Sequence, residues 1–159
     1  MAPVTSSYEV TSSIPPARLF KATILEEKHL HKILPQGVKS VEILEGDGGV
    51  GTIKLTTFVE GGELKTAKQR VDGIDKEKFT YSYTVLEADG FNDVIEKICC
   101  VIKFEPSADG GSICKTTNTY YPKGGAQISE EHLKGGKEKG LGMVKAVEAY
   151  LHANPTAYN

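Results

Sequence analysis

The chain has no tryptophan, three cysteines and four histidines, and none of its apolar runs approaches the roughly 18 to 20 residues a membrane-spanning helix needs. No membrane partner is expected. Cys99, Cys100 and Cys114 are odd in number, two of them adjacent, without the spacing of a zinc site, so reduced thiols in a cytoplasmic protein are expected. His29, His31, His132 and His152 are scattered, and His29 and His31 do not share a helical face; neither a metal nor a cofactor is expected. Met1 to Ser13 lacks a basic stretch followed by an apolar run and does not read as a signal peptide. A net charge of -2 removes most of the attraction on which non-specific nucleic-acid binding relies, so nucleic acid is not expected as the main partner.

What is present describes one globular domain over residues 1–159, expected to be a monomer: 39% apolar residues, 25% charged residues and 17 glycines, the last implying many turns. Val4 to Thr11 alternates and reads as a strand. A short helix follows, with Ser13 as its cap, Pro15 and Pro16 in its first turn, and Leu19, Phe20, Thr23 and Ile24 on one face. A second short helix is expected from about Glu26 to Ile33, ending at Pro35.

From Ser40 to Tyr121 six or seven strands are separated by Gly and Asp clusters at Gly46 to Gly51, Glu60 to Glu63, Gly73 to Lys76, Ala88 to Asn92 and Ala108 to Gly111. With no helices between them, they form an antiparallel meander. The clearest is Phe79 to Leu86, where Phe79, Tyr81, Tyr83 and Val85 share the face expected inside. The last segment, Ser129 to Ala153, reads as a long amphipathic helix with a capping serine, two glutamates in its first turn and Pro155 beyond its end. Leu133, Gly136, Gly140, Val144, Val147 and Leu151 form its stripe. Gly135, Gly136, Gly140 and Gly142 each cost about 1 kcal/mol of helix propensity, so something must favour small residues there. Periodicity leaves two outcomes open, a sheet–helix interface filled by large side chains or a pocket.

The run Glu45-Gly46-Asp47-Gly48-Gly49-Val50-Gly51-Thr52 resembles the glycine-rich loop of the pathogenesis-related class 10 plant proteins, the birch major pollen allergen family. The resemblance runs from end to end, through Ile14 to Ala22, Phe79 to Tyr83, Asp109 to Ile113, Gly135 to Lys139 and Val147 to Leu151. It implies an α+β helix-grip fold: a seven-stranded curved antiparallel sheet around a long C-terminal helix, two short helices, and a hydrophobic cavity that accepts cytokinins, flavonoids, sterols or related amphipathic molecules. The implied function is storage, transport or signalling in defence and stress. Thr23 stands where many relatives carry an aromatic residue projecting into the cavity, and Val50 where a proline is common. The first of these departures points to a roomier pocket.

In that fold, alternation makes Phe58, Leu64, Thr66, Lys68, Arg70, Tyr81, Tyr83, Val85, Cys100, Ile102, Cys114, Thr116, Asn118 and Tyr120 pocket-lining candidates on the strands. Thr23 on the short helical segment, and Lys137, Gly140 and Met143 on the long helix, complete the set. Apolar walls with a few hydroxyls, an amide and cationic ends suit a mostly hydrophobic ligand with polar substituents. Cys100 and Cys114 are expected to look inward from adjacent strands, as packing groups or as a redox-labile pair. The loop Gly46, Asp47, Gly48, Gly49, Val50, Gly51 lacks the Gly-Lys-Ser/Thr ending of a phosphate loop and joins strands, so it is read as a rigid connection.

Two enzymatic alternatives accompany the binding reading. Some relatives catalyse condensation or isomerisation in specialised metabolism, for which Lys68, Tyr81, Tyr83 and Lys137 are the counterparts here, without a carboxylate clearly among them. Lys54, Glu96, Glu148 and Tyr150 resemble residues linked in the family to weak ribonuclease activity; Glu148 and Lys54 could equally be a structural pair between helix and sheet.

Overall fold

A computed structural model describes residues 2–25, 32, 37–60 and 62–158. Among them seven strands form one antiparallel sheet: β1 (Val4–Ser12), β2 (Val38–Glu45), β3 (Ile53–Glu60), β4 (Glu63–Asp75), β5 (Thr80–Ala88), β6 (Ile95–Pro106) and β7 (Ser112–Pro122). Their spatial order is β1-β7-β6-β5-β4-β3-β2. Consecutive strands from β2 to β7 are neighbours, as expected of a meander, and β1 closes the far edge against β7. The second short helix expected over Glu26 to Ile33 lies outside the described residues, apart from residue 32.

The alternation that marks the strands is also their burial pattern. On β7, Ser112, Cys114, Thr116, Asn118, Tyr120 and Pro122 are buried, whereas Lys115 and Thr117 between them are exposed. The β5 face carries Tyr81 and Val85 inward as the sequence indicates, but the strand begins at Thr80. Phe79 instead closes the preceding turn at φ 53°, a left-handed conformation unusual for a bulky side chain, and packs its ring on Phe20. Gly73 lies within β4 rather than in a turn, next to a register shift between Val71 and Gly73.

The first helix, α1 (Pro16–Phe20), starts as the prolines require, but Ser13 does not cap it. Pro15 occupies the cap position and its carbonyl accepts from the Leu19 N–H at 3.0 Å. Ser13 is drawn to the long helix instead, its hydroxyl 2.7 Å from His152 Nε2 and its N–H on Glu148. The chain continues as a wider helical turn, Lys21–Leu25, that buries Ala22 and Thr23.

The long helix, α2 (Glu130–Ala153), is capped by Ser129, whose hydroxyl accepts from the His132 N–H at 3.3 Å. Val144, Val147 and Leu151 on its stripe are buried. Arg18 fastens α1 to the end of α2 by donating to the Leu151, Asn154 and Ala157 carbonyls at 3.0, 2.7 and 2.9 Å, satisfying acceptors that a helix end leaves open. The main core thus gathers at this end, with Leu19, Phe20, Val71, Phe104, Val147 and Leu151 in one cluster.

The other end of α2 stands on tyrosines. A Cβ at Gly136 would overlap the Tyr120 hydroxyl, and one at Gly140 would overlap the Tyr8 hydroxyl, so residues of β7 and β1 impose glycine on the helix. Among the described residues, nothing lies within 4 Å of a Cβ at Gly135 or Gly142, and these two carry no such demand.

Candidate functional site

Between the concave face of the sheet and the glycine-bearing half of α2 lies a cavity of about 460 Å³. Its walls are mostly apolar: Phe58, Val85, Ile98, Ile102, Met143 and Val144 contribute, while Thr23 lines it from the helical turn after α1. Tyr81, Tyr83, Cys100, Cys114, Thr116, Asn118, Tyr120 and Gly140 also line it, where inward alternation puts them, and Thr66 reaches it. The Thr66 N–H and hydroxyl are both engaged by Asp89 Oδ2, at 2.8 and 3.4 Å.

Four of the expected lining residues lie elsewhere. Leu64, Lys68 and Arg70 are absent from the cavity wall, and β4 presents Lys65, Ala67 and Gln69 to it instead. The tight β3–β4 connection, with Glu60 opposite Glu63, sets Phe58 opposite Lys65 and Thr56 opposite Ala67. With Phe58 inward, the odd-numbered residues of β4 must be inward too, since a one-residue slip exchanges the faces of a strand. Arg70 accordingly pairs on the outside with Asp72 at 2.8 Å, and Leu64 is more than half exposed. Lys137 projects from the solvent side of α2, whereas Glu131, His132 and Lys139 line the cavity. Lys68 and Lys137 are therefore not set beside Tyr81 and Tyr83, which removes both cationic groups from the enzyme arrangement drawn from the sequence.

Sequence reasoning missed Tyr8 and Thr56. Tyr8 is the largest inward side chain of β1 and lies opposite Thr116. Its position in the alternation of Val4 to Val10 was a usable signal, but nothing local showed that β1 borders this cavity. Thr56 stands between Lys54 and Phe58 on the buried face of β3.

The inward thiols of Cys100 and Cys114 and the phenols of Tyr8, Tyr83 and Tyr120 remain protonated near neutrality. Burial pushes the Cys100 thiol up to about 12 and Cys114 up to about 11. Tyr83 is raised well above the ordinary phenol value, first by the Cys100 sulfur and then by burial. Tyr8 and Tyr120 are raised chiefly by burial, opposed at Tyr8 first by the Thr116 hydroxyl and then by Asn118, and at Tyr120 by Asn118. These groups serve as hydrogen-bonding walls rather than ionised nucleophiles. All three cysteines are free. Cys100 lies opposite Asn118 and Cys114 opposite Phe104, so the two inward thiols are offset by four residues, roughly 13 Å along the strands, too far for a disulfide.

The four residues considered for RNA cleavage occupy different settings. Lys54 is buried, donating to the Tyr81 hydroxyl at 2.9 Å, and Glu96 is exposed at the start of β6. Tyr150 packs beside the core, and Glu148 faces the start of α1. Glu148 accepts the Ser13 N–H at 3.0 Å and lies 3.7 Å from Lys145, so its structural partners are these and not Lys54. Its carboxyl is held below the usual range, first by the Ser12 hydroxyl, with the Ser13 N–H, Lys145 and His152 adding to it. A depressed folded-state value means that the stabilisation is present above the unfolded carboxylate value and is lost as pH falls through the folded one. Glu148→Gln should therefore lower stability by about 1 kcal/mol at neutral pH, the difference from wild type shrinking in acid, as denaturant melts across pH would show. RNA cleavage by the preparation should not change.

The glycine-rich loop uses its own donors. The Gly48 N–H goes to Thr52 Oγ1 at 2.9 Å and the Gly49 N–H to Asp47 Oδ1 at 3.0 Å. The Gly51 N–H goes to the Val71 carbonyl at 2.8 Å and the Thr52 N–H to the Gly49 carbonyl at 3.1 Å. Gly46, Gly48 and Gly51 have φ of 94°, 101° and 90°, so glycine supplies a backbone that folds inward on Thr52 instead of presenting a phosphate cradle.

A curved antiparallel sheet gripping one long helix across a lined cavity defines a helix-grip protein. The chain belongs to the pathogenesis-related protein Bet v 1 family, whose model matches residues 1–154. It is 56% identical to the major allergen Pru ar 1 of Prunus armeniaca over 160 residues, covering 100% of both chains. It is 50% identical to the major pollen allergen Bet v 1-C of Betula pendula over 152 residues, 95% of each. The crystal structure of Ara h 8.0201 superposes with a TM-score of 0.84 at 38% identity, covering 96% of this chain and 99% of that one. Norcoclaurine synthase from Thalictrum flavum, at 20% identity and a TM-score of 0.70 over 96% of this chain and 88% of its own, shares the fold.

Proposed function

We propose that the protein reversibly binds small amphipathic or hydrophobic plant molecules, of the cytokinin, flavonoid or sterol type, for storage, transport or signalling in defence and stress. The cavity carries this reading: about 460 Å³ is within the ordinary range for small-molecule sites, and its walls combine apolar side chains with a few hydrogen-bonding groups. The raised tyrosine and cysteine values support binding over acid–base chemistry, because these groups stay neutral around a bound molecule. An environment-sensitive apolar dye should bind one-to-one at micromolar concentration, and a cytokinin or a flavonoid should displace it. A folded sample that leaves the dye's emission unchanged contradicts the proposal.

A further inference from the structure

Among the described residues, two side chains on the cavity wall are more than nine-tenths buried and have a polar atom without a protein partner: Thr56 Oγ1 on β3 and Asn118 Oδ1 on β7. Such atoms are rare in folded proteins because each has given up water without replacement. Asn118 and Thr56 belong to strands separated in the sheet by β6, β5 and β4. Four strand spacings make the arc between them on the order of 20 Å, shortened across the cavity by the curvature of the sheet. The wall between carries the apolar Ala67, Val85 and Ile98 together with the uncharged Cys100, Tyr83 and Gln69.

We propose that Asn118 and Thr56 are the two polar anchors of an elongated, uncharged ligand that carries a hydroxyl towards each end of an apolar body. This rests on the cavity-binding reading and narrows it. Asn118 Oδ1 is an acceptor only, so it calls for a donor and opposes a carboxylate or sulfonate, whereas the Thr56 hydroxyl donates or accepts. A neutral hydroxyl satisfies both anchors. An anionic end group does not.

The test uses three neutral rods of one shape: trans-stilbene, 4-hydroxystilbene and 4,4′-dihydroxystilbene. Because the chain has no tryptophan, stilbene emission reports binding without an indole background. On the wild-type protein the first hydroxyl should tighten binding by about tenfold and the second by about tenfold again. Thr56→Val and Asn118→Leu keep the side-chain shape and remove the anchor. Each should bind the dihydroxy compound no better than the monohydroxy one, bind stilbene itself at least as tightly as wild type, and melt no lower.

Equal affinities for the three compounds on wild type overturn the proposal while leaving the cavity reading standing, as does a full hydroxyl preference kept by both variants. Failure of all three compounds to bind folded protein overturns both. Should one variant fail to fold, the other carries the test: a preference for the second hydroxyl that it keeps in full overturns the proposal.

Discussion

Gly140→Leu is expected to lower stability and ligand affinity together. Leucine gains about 1 kcal/mol of helix propensity over glycine at a helical position. That gain is outweighed by what its first carbon meets: beyond the overlap with the Tyr8 hydroxyl, the ring atoms Cζ and Cε2 of Tyr8 lie 2.9 and 3.3 Å away. A rigid ring on β1 cannot bend aside, so it must rotate or push α2 off the sheet, and overpacking of this kind costs about 1–3 kcal/mol. Both responses intrude on a cavity that Tyr8 and Gly140 line, and affinity for an apolar dye should fall by about tenfold or more. Gly142→Ala, two residues on with nothing among the described residues within 4 Å, should instead stabilise by about 1 kcal/mol. Combining Gly140→Ala with Tyr8→Phe should recover part of the loss from Gly140→Ala alone, the coupling that a double-mutant cycle measures.

Phe20→Ala should have the largest effect on folding. The Phe20 side chain is 1% exposed, with ring centroids 5.6 Å from Phe79 and 5.9 Å from Phe104, the latter pair near perpendicular at 84°. Removing a buried phenyl ring costs about 3–5 kcal/mol through lost transfer energy and the void left behind. Its partners cannot follow it inward easily, since Phe104 is fixed in β6 and Phe79 is held in its turn by the Phe104 N–H donating to its carbonyl at 3.0 Å. For a domain of this size the midpoint of thermal unfolding should fall by roughly 10 °C. A loss below about 1 kcal/mol in chemical denaturation would mean that α1 contributes little to the core. The same ring makes sense of Phe79: burying one aromatic against another offsets the strain of a positive φ.

The strands whose two faces differ in chemistry were legible in the sequence. On β5 and β7 aromatic and small inward residues alternate with lysine and threonine, so the period of two carries a direction, and Tyr81, Tyr83, Cys114, Thr116, Asn118 and Tyr120 were placed on the correct face. β4 gave no direction because Leu64 to Arg70 mixes polar residues on both faces. There the inward set follows from the β3–β4 turn, which fixes pairing rather than composition. The glycines of α2 announced a requirement for small residues, but the cause comes from Tyr8 and Tyr120, more than a hundred and about sixteen residues away in sequence respectively. Ser13 looked like a helix cap from its neighbours alone; Glu148 and His152, distant in the chain, claim it.

The central claim, one ligand site inside the grip of sheet and helix, is tested most directly by mapping backbone amide shifts while an apolar dye is titrated into isotopically labelled protein. Saturable changes should concentrate at Tyr81, Tyr83, Val85, Cys100, Thr116 and Asn118 and along the half of α2 from Gly135 to Met143, with one stoichiometric endpoint. Changes confined to the outer face of the sheet, at Arg70, Val101 or Lys115, or changes that never saturate, would contradict the account.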